Sequence, residues 1–390
     1  MTDLWQYLQA AAREGRPIVM YGMGNGADKI LAVCQGYGIE IADFFASDGF
    51  VRGHAFHGKE VLSYSAMREK YQTLGKDPIV LLSFASSRPE VLDTIARVAD
   101  ECELYVPDVP VCGQELFDAA FCEAHAEEIA ATRALFADEE SRRVYDGIIT
   151  GKLSGDPRVI RATESEPADA YAHILRADRF RTYCDLGAYN GDSIRALREH
   201  APDLQVALAM EPDRRNFRKL EAYAATLQEA QDPLTVIPVG AGAWSEDTTL
   251  TFHGSGNRNA GLTDAPATAP ADTLLPSTAE NPYFGKSEAV PVRALDSLMA
   301  ERMADGTMPA DTRVDFIKYD VEGAEREALL GSRAVIERDA PALLVSVYHR
   351  SADIFALPQL VHELNPAYRL YLRRMAGLPA WDINLYAVVD

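Results

Sequence analysis

Apolar strands, glycine-containing turns and amphipathic helices alternate along most of this chain. Two units open alike: residues 17–21 lead into a glycine turn at 22–27, and residues 181–185 lead into another at 186–192. A strand, a turn and a helix repeated in this order predict parallel sheets with helices on both faces. We therefore expect an α/β protein built on two such sheets.

The pattern divides the chain into three predicted parts. Residues 1–112 form a compact α/β domain, 113–164 a helical and acidic connector, and 165–390 a second α/β domain. Strands of the first domain, besides 17–21, are predicted at 39–46, 79–84 and 102–106. Strands of the second are predicted at 181–185, 205–211, 234–239, 314–320, 342–348, 368–373 and 383–389. The loop before the last strand is too short for a parallel crossover, so the sheet should end in an antiparallel hairpin.

One segment does not follow this alternation. Residues 253–291 begin rich in glycine and continue with scattered prolines. Long loops of this kind are usually functional lids or disordered segments. The sequence leaves both alternatives open, as a lid or substrate wall or as plain disorder.

Composition narrows the function classes. The formal net charge is −21 without a local basic patch, which argues against a nucleic-acid partner. Five scattered cysteines form no CxxC pair, which favours a reducing, cytoplasmic location over disulfides or zinc. There is no signal-peptide pattern and no apolar run near the ~20 residues that span a bilayer. The oligomeric state stays open, with a homodimer as one alternative.

The second glycine turn carries the strongest indication of a bound nucleoside. Gly187 allows close approach of the backbone, and Gly191 begins a helix whose free N–H groups would face a ligand. Glu211 ends the next strand, where an acid can accept hydrogen bonds from ribose hydroxyls. The leading acid, Asp185, suits a cationic cofactor such as S-adenosylmethionine better than a pyrophosphate. The predicted contacts are Asp185, Gly187, Ala188, Tyr189, Gly191, Asp192, Glu211 and Pro212. The alternative is that Asp185 caps the turn and Glu211 is a surface acid.

A later strand ends in charged residues. Lys318, Asp320 and Glu322 close an apolar strand, where burying charge is costly unless the groups are paired. Lys318 and Asp320 are therefore predicted catalytic residues, and Glu322 is predicted to bind substrate. The alternative is a structural Lys–Asp pair, with Glu325 favouring a helix N-terminus.

The following strand ends in Tyr348 and His349. His349 is a predicted general base, because an imidazole of ordinary pKa suits removal of a hydroxyl proton; Tyr348 is predicted to contact substrate. A lone histidine is more often structural, so this role depends on the neighbouring acids. Asp320 and Glu322 could hold a divalent ion, but two acids do not establish a metal site.

These motifs together resemble the FkbM-type methyltransferase family. The matching strings are DLGAYNGDS (185–193), MEP (210–212), VGAGAWS (239–245), VPVRALDSL (290–298) and DFIKYDVEGAE (315–325), with the strand that leads to His349. The resemblance covers about residues 165–390. It implies a Rossmann-like, class I methyltransferase sheet, S-adenosylmethionine as cofactor, and O-methylation of a carbohydrate, nucleotide-sugar or related natural product. It also implies that Ala243 and Trp244 form an adenine-side wall and that Asp320, Glu322 and His349 lie at the substrate end.

The first glycine turn fits the dinucleotide pattern GxGxxG/A, and Asp43 and Asp48 follow at a suitable distance for a ribose contact. This domain resembles Rossmann-like domains attached to sugar-modifying enzymes. The alternative is a fold that needs tight turns for packing and binds nothing. His54 and His57 are expected at the surface and not at a metal.

Three hypotheses remain at this point. The first is an S-adenosylmethionine-dependent O-methyltransferase. The second is an NAD-dependent oxidoreductase acting through the first domain, and the third is a non-catalytic binding protein of glycan assembly. Acids and a histidine at successive strand ends argue against the third, since a scaffold does not need them.

Overall fold

The computed structural model describes residues 3–389 apart from 52, 54, 254–260 and 264–286. Most of the predicted lid segment and His54 therefore lie outside the described residues. Among the described residues, no helix combines the length and apolar character needed to cross a membrane.

The amino-terminal domain is a six-stranded sheet flanked by helices. Its strands are β1 (Ile18–Tyr21), β2 (Ile41–Ala46), β3 (Ala55–Phe56), β4 (Lys59–Ser63), β5 (Ile79–Leu82) and β6 (Glu103–Tyr105). Its helices are α1 (Leu4–Arg13), α2 (Asn25–Gly36), α3 (Tyr64–Thr73) and α4 (Pro89–Glu101). The order is β3-β4-β2-β1-β5-β6, and the four pairings among β4, β2, β1, β5 and β6 are parallel. Every residue of β1 and β5 is buried, as expected of central strands covered on both faces.

Four helices connect the two sheets: α5 (Ala119–Ala124), α6 (Ala126–Leu135), α7 (Glu139–Ser154) and α8 (Pro157–Arg161). Helix α7 begins at a side-chain cap, where Asp138 accepts a hydrogen bond of 2.8 Å from Ser141 N. It ends at Gly155, which adopts a left-handed conformation. The Nζ atom of Lys152 lies 2.7 Å from Asp108 Oδ1, and both side chains are buried. This ion pair joins the connector to the end of the amino-terminal domain.

The carboxy-terminal domain has a seven-stranded sheet and a small four-stranded one. Its strands are β7 (Thr182–Leu186), β8 (Val206–Met210), β9 (Thr235–Val239), β10 (Gly242–Ala243), β11 (Thr248–His253), β12 (Gly261–Thr263), β13 (Ser287–Arg293), β14 (Phe316–Tyr319), β15 (Ala342–Ser346), β16 (Arg369–Arg374) and β17 (Ile383–Val388). Its helices are α9 (Pro167–Asp169), continued by a π-helical turn (Ala170–Leu175) and a 3-10 turn (Ala177–Arg179), then α10 (Asp192–Arg198), α11 (Arg214–Glu229), α12 (Leu295–Ala304), α13 (Glu325–Leu330), α14 (Arg333–Asp339) and α15 (Asp353–Leu364).

The large sheet has the order β16-β17-β15-β14-β7-β8-β9. The strands from β15 to β9 are parallel, whereas β17 runs antiparallel to both β15 and β16. This confirms the predicted α/β class, the two Rossmann-like sheets and the closing hairpin. The chain moves from β7 to one side through β8 and β9, then crosses to β14 on the other side. Ligands of open α/β sheets bind at such a reversal, beyond the carboxyl ends of the strands.

The described parts of residues 253–291, the segment without the regular alternation of strands and helices, belong to the small sheet. Strand β13 pairs with β10 and β11, and β11 pairs with β12. The described residues of this segment therefore form β structure.

The two domains also meet beside the reversal point. Ser86, in the loop after β5, exchanges backbone hydrogen bonds of 2.9 and 3.0 Å with Leu378 in the hairpin loop between β16 and β17. A loop of one domain is thereby fixed against a loop of the other.

Candidate functional site

A cavity of about 560 Å³ opens at the carboxyl ends of the parallel strands of the large sheet. This volume is in the range of small-molecule and cofactor sites, about 300–1,000 Å³. From the carboxy-terminal domain it is lined by Gly187, Tyr189, Asp192, Ser193, Met210, Glu211, Pro212, Asp213, Asn216, Gly242, Ala243, Lys318, Asp320, Val321, Glu322, Tyr348, Gly377, Leu378, Pro379, Trp381 and Asp382. From the amino-terminal domain it is lined by Ala85, Ser86, Ser87, Arg88 and Val111. The ends of β7, β8 and β14, and the short β10 that follows β9, all reach this one cavity.

The turn after β7 forms one wall. Gly187 has φ +94°, and a Cβ there would lie 2.0 Å from the backbone oxygen of Asp320. The turn and the end of β14 therefore approach closely only because this residue is glycine. Gly191 also has positive φ and precedes helix α10, while Ala188 is fully buried.

Glu211, at the end of β8, holds that turn from the other side. One carboxylate oxygen accepts a hydrogen bond of 2.9 Å from Tyr189 N, and the other accepts one of 2.8 Å from Asp213 N. The side chain is largely buried, and burial raises the pKa of Glu211 to about 7. Because a carboxylate has about four lone-pair sites, both oxygens can still accept a further hydrogen bond.

Asp185 lies behind the cavity wall and not on it. It is fully buried, and neither of its oxygens has a hydrogen-bond partner among the described residues. Lys318 Nζ is 3.7 Å from Asp185 Oδ1. Burial raises the pKa of Asp185 to about 6, against the opposing effect of Lys318. A direct cofactor contact at Asp185 stays a prediction.

Lys318 bridges the two central strands. Its Nζ lies 3.2 Å from Asp320 Oδ2 and 3.4 Å from the oxygen of Gly187. Burial disfavours the charge, but Asp320 and Asp185 together raise the pKa of Lys318 well above its ordinary value. Lys318 therefore carries a positive charge at neutral pH and cannot accept a proton there. The ion pair that the sequence offered as the structural alternative is present, and it lies on the cavity wall.

Asp320 is held ionised. Its Oδ1 accepts a hydrogen bond of 3.0 Å from Ser346 Oγ, at the end of β15. Despite burial, Lys318 and His349 lower the pKa of Asp320 to about 2.

His349 occupies an environment different from the one expected. It is fully buried, whereas its neighbour Tyr348 lines the cavity. Its Nδ1 lies 2.9 Å from Glu325 Oε1, and its Nε2 lies 3.4 Å from Glu322 Oε2 and 3.7 Å from Asp320 Oδ1. Burial disfavours the imidazolium, but the carboxylates, Glu325 foremost, raise the pKa of His349 to about 10. The expectation of a base with an ordinary pKa is therefore wrong for this environment.

Glu322 lies in a strained turn that the amino-terminal domain supports. Its φ is +52°, which is uncommon for a residue other than glycine. Cys112 donates a hydrogen bond of 3.0 Å from Sγ to the oxygen of Glu322, and its backbone N donates one of 2.8 Å to the oxygen of His349. Burial raises the pKa of Glu322 to about 8.

Some of the remaining predicted cofactor contacts line the cavity, and one does not. Asp192, Pro212 and Ala243 line the cavity together with Tyr189. Trp244 does not line it; its backbone N donates a hydrogen bond of 3.0 Å to the oxygen of Arg293. The structure therefore brings Ala243, but not Trp244, to the site.

Sequence reasoning missed the wall from the amino-terminal domain and the hairpin loop that carries Trp381. It also missed that Glu325 binds His349. Gly377 and Pro379, which lie between the last two strands, were the residues that could have indicated this loop from the sequence.

The first glycine turn shows tight packing. A Cβ at Gly26 would lie 2.2 Å from the oxygen of Ser83. Asp43 lies within β2 and is hydrogen-bonded to Lys70 on helix α3, away from the end of the strand. Asp48 accepts two hydrogen bonds from Ser65, and exposed His57 lies 2.7 Å from Asp28 Oδ1. These contacts favour the packing interpretation of the turn over a dinucleotide site.

Comparison with known families agrees with the geometry of the second sheet. Residues 185–376 match the family model described as the methyltransferase FkbM domain. This part of the chain is therefore similar to methyltransferase FkbM domains. The match includes Gly187, Glu211, Asp320 and His349, and it lies within the range expected from the sequence motifs. No curated protein matches the chain.

Solved structures extend the likeness to both domains. The methyltransferase FkbM from Methylobacillus flagellatus KT is 19% identical, with a TM-score of 0.68 over 98% of this chain and 92% of that one. An O-methyltransferase from Bacillus cereus, solved with SAH, is 12% identical with a TM-score of 0.33, covering 68% of this chain and 97% of that one. The SAH-bound methyltransferase PaMTH1 from Podospora anserina is 11% identical with a TM-score of 0.29, covering 78% and 97%. The first of these shows that the fold of the methyltransferase domain and of the domain before it is shared.

Proposed function

We propose that this chain transfers a methyl group from S-adenosylmethionine to a hydroxyl of a carbohydrate, nucleotide-sugar or related natural product. The observation that carries the proposal is the set of residues that line the cavity at the carboxyl ends of the large sheet's parallel strands. The cavity lining combines a buried acid directly after β8, Glu211, with an ion pair at the end of β14, between Lys318 and Asp320.

The residues present fit the cofactor. Glu211 retains acceptor capacity toward ribose hydroxyls, and Ala243 offers a small apolar surface beside it for an adenine. Asp185 keeps two buried oxygens without hydrogen-bond partners among the described residues, and it holds the Lys318 cation close to the turn. S-adenosylmethionine, when bound, supplies a methyl group that is already activated for transfer.

The protein then has two tasks at the acceptor end, which are to align a hydroxyl and to receive its proton. Asp320 and Glu322 are the acids of the β14 end that line the cavity, and the proton passes to one of them. His349 is buried behind both and, as an imidazolium, holds the position of their carboxylates. Trp381, Ser87 and Arg88 also line the cavity, and an aromatic ring together with polar side chains suits a sugar-like acceptor.

Calorimetric titration of the full chain with S-adenosylmethionine tests the first half of the proposal. We expect binding that Glu211→Ala weakens at least tenfold. Glu229→Ala, which removes an exposed acid from helix α11, should leave binding unchanged. Absence of binding to the unaltered chain would refute the proposed function.

Transfer of a labelled methyl group to a panel of free sugars, glycosides and sugar nucleotides tests the second half. We expect label on an acceptor oxygen, located by fragmentation mass spectrometry. Comparison of kcat for Asp320→Asn and Glu322→Gln identifies the proton acceptor as the residue whose loss lowers kcat more. Label only on nitrogen or carbon atoms of acceptors would contradict O-methylation.

A further inference from the structure

A compact group of potential ligands lies at the floor of the cavity. One side-chain atom each from Asp320, Glu325 and His349 lies within 4.8 Å of the others. A cluster of acids alone is common at protein surfaces, but this one includes a fully buried imidazole. The Nε2 atom of His349 has no hydrogen-bond partner among the described residues. A buried ring nitrogen that faces two carboxylates without a hydrogen bond to either needs an explanation, and a bound ion is one.

The orientation of the His349 ring indicates which atom would bind an ion. Its Nδ1 faces Glu325 Oε1 at 2.9 Å, and the same oxygen accepts a hydrogen bond of 2.9 Å from Val321 N. Metal-binding histidines characteristically donate their second ring nitrogen to such a carboxylate, which fixes the tautomer. A cation that binds Nε2 would displace the proton of that atom and leave the proton on Nδ1, because metal binding releases ligand protons. Glu325 then has the outer position and not that of a direct ligand.

Two carboxylate oxygens lie near Nε2. Glu322 Oε2 lies 3.4 Å away and Asp320 Oδ1 lies 3.7 Å away. Two neighbouring atoms bound to one cation at about 2.1 Å are about 3 Å apart in octahedral geometry. Both oxygens would therefore have to move closer to Nε2, and Glu322, which lies outside the compact group of Asp320, Glu325 and His349, would have to turn toward it. The side chain of Glu322 is partly exposed and can make that adjustment. Asp320 and Glu322 also line the cavity, so an ion there would be accessible to a substrate oxygen.

Charge favours a cation at this place. Three carboxylates, those of Asp320, Glu322 and Glu325, surround His349. Lys318 faces the opposite oxygen of Asp320, Oδ2, at 3.2 Å and leaves Oδ1 on the side of His349. One imidazole with carboxylate oxygens is a ligand set that suits divalent ions such as Mn²⁺.

We propose that Asp320, Glu322 and His349 bind a divalent cation at the cavity floor, with Glu325 as the outer carboxylate that orients the imidazole. The existence of this site is independent of the proposed function. Its use, to hold an oxygen of the acceptor near the transferred methyl group, rests on that function.

Titration of the EDTA-treated full chain with Mn²⁺, followed by electron paramagnetic resonance of the free ion, tests the site. We expect one tight site per chain. Glu322→Gln and Glu325→Gln should each weaken it at least tenfold, the usual effect of losing a ligand or an outer partner. Glu337→Gln, on an exposed helix, makes the same change in net charge and should leave the affinity unchanged. Circular dichroism identifies any variant that fails to fold, and Glu322→Gln, with its partly exposed side chain, is the variant expected to keep its structure.

Weak Mn²⁺ binding that is equal in the unaltered chain and in all three variants would overturn the proposal. His349 would then be an imidazolium that serves only as counter-ion for the carboxylates. Titration with S-adenosylmethionine in EDTA separates this result from failure of the proposed function. If S-adenosylmethionine binds but no Mn²⁺ site is found, only the proposed cation site is refuted. If a Mn²⁺ site is found but S-adenosylmethionine does not bind, only the proposed methyl transfer is refuted.

Discussion

The carboxylate of Glu211 accepts a hydrogen bond of 2.9 Å from the backbone N–H of Tyr189. The acid after the second strand is therefore part of the turn after the first, in addition to facing the cavity. A ligand that hydrogen-bonds to Glu211 is therefore coupled to the position of that turn. This coupling makes the ionisation of Glu211 the first quantity to measure.

Binding of S-adenosylmethionine should weaken as the pH falls. Burial raises the pKa of Glu211 to about 7, so the ionised fraction drops from about 90% at pH 8 to about 10% at pH 6. If the carboxylate is the form that accepts ribose hydroxyls, the affinity falls about tenfold over this range. Calorimetry at several pH values checks this. Glu211→Gln should bind weakly with a flat profile, and an unchanged slope in that variant would assign the effect to another group.

Asp185→Asn should stabilise the unliganded protein at alkaline pH. The folded-state pKa of Asp185, about 6, lies above its unfolded value, so the folded chain binds the proton more tightly. Its ionisation therefore lowers stability as the pH rises from about 4 to 6, and the full penalty remains above pH 6. We expect the variant to gain on the order of 1–2 kcal/mol in unfolding free energy at pH 8 by urea denaturation.

The same comparison at pH 4.5 provides an internal control. Asp185 is then largely protonated in the folded chain, so the difference between the two proteins should shrink to about a third of its value at pH 8. A constant gain at both pH values would mean that the buried charge is not the cause.

Gly187→Ala should destabilise the protein far more than Gly24→Ala. Both glycines have a positive φ, +94° and +93°, which residues with a side chain rarely adopt, so both alanines suffer backbone strain. Only the Cβ at position 187 meets an atom, the Asp320 oxygen at 2.0 Å, whereas the one at position 24 has nothing within 4 Å. We expect a difference of about 3 kcal/mol or more, because the neighbour is backbone and cannot rotate away. Equal losses of stability for the two variants in thermal or urea unfolding would show that backbone strain, and not the contact with Asp320, causes the destabilisation.

Lys152→Met should cost about 3–5 kcal/mol of stability, because it leaves Asp108 buried without its ion-pair partner. Arg133→Met removes an ion pair to Asp146 in which both side chains are about half exposed. That loss should stay below about 1 kcal/mol. Urea unfolding monitored by circular dichroism compares the two variants. Similar values would mean that the Lys152–Asp108 pair does not tie the connector to the first domain.

Strand positions and the antiparallel hairpin could be predicted from the sequence because each depends on local patterns. Alternation of apolar and polar residues and loop lengths are properties of short segments. Glu211 and Asp320 were found for the same reason, since the ends of parallel strands share one edge of a sheet. Both line the cavity.

The partners of those residues could not be predicted in this way. Glu325 was interpreted from its place at the start of a helix, but its contact with His349 depends on how helix α13 packs beside β15. That contact and the neighbouring acids change the imidazole from an expected base into a cation. The wall formed by Ser86 and Arg88 depends on the docking of two domains, which hydrophobic periodicity does not encode.

The hydrogen bonds from Cys112 to Glu322 and His349 show that residues outside the carboxy-terminal domain hold this site in place. A protein engineered to begin at the carboxy-terminal domain would keep every residue matched by the family model. It would nevertheless lose the supports of two turns and the Ser86–Leu378 edge of the cavity. The unit that folds into a complete cavity is therefore longer than the segment that sequence comparison identifies. Gene dissection or domain exchange in this protein would have to preserve the junction at residues 106–112 and the loop that carries Ser86.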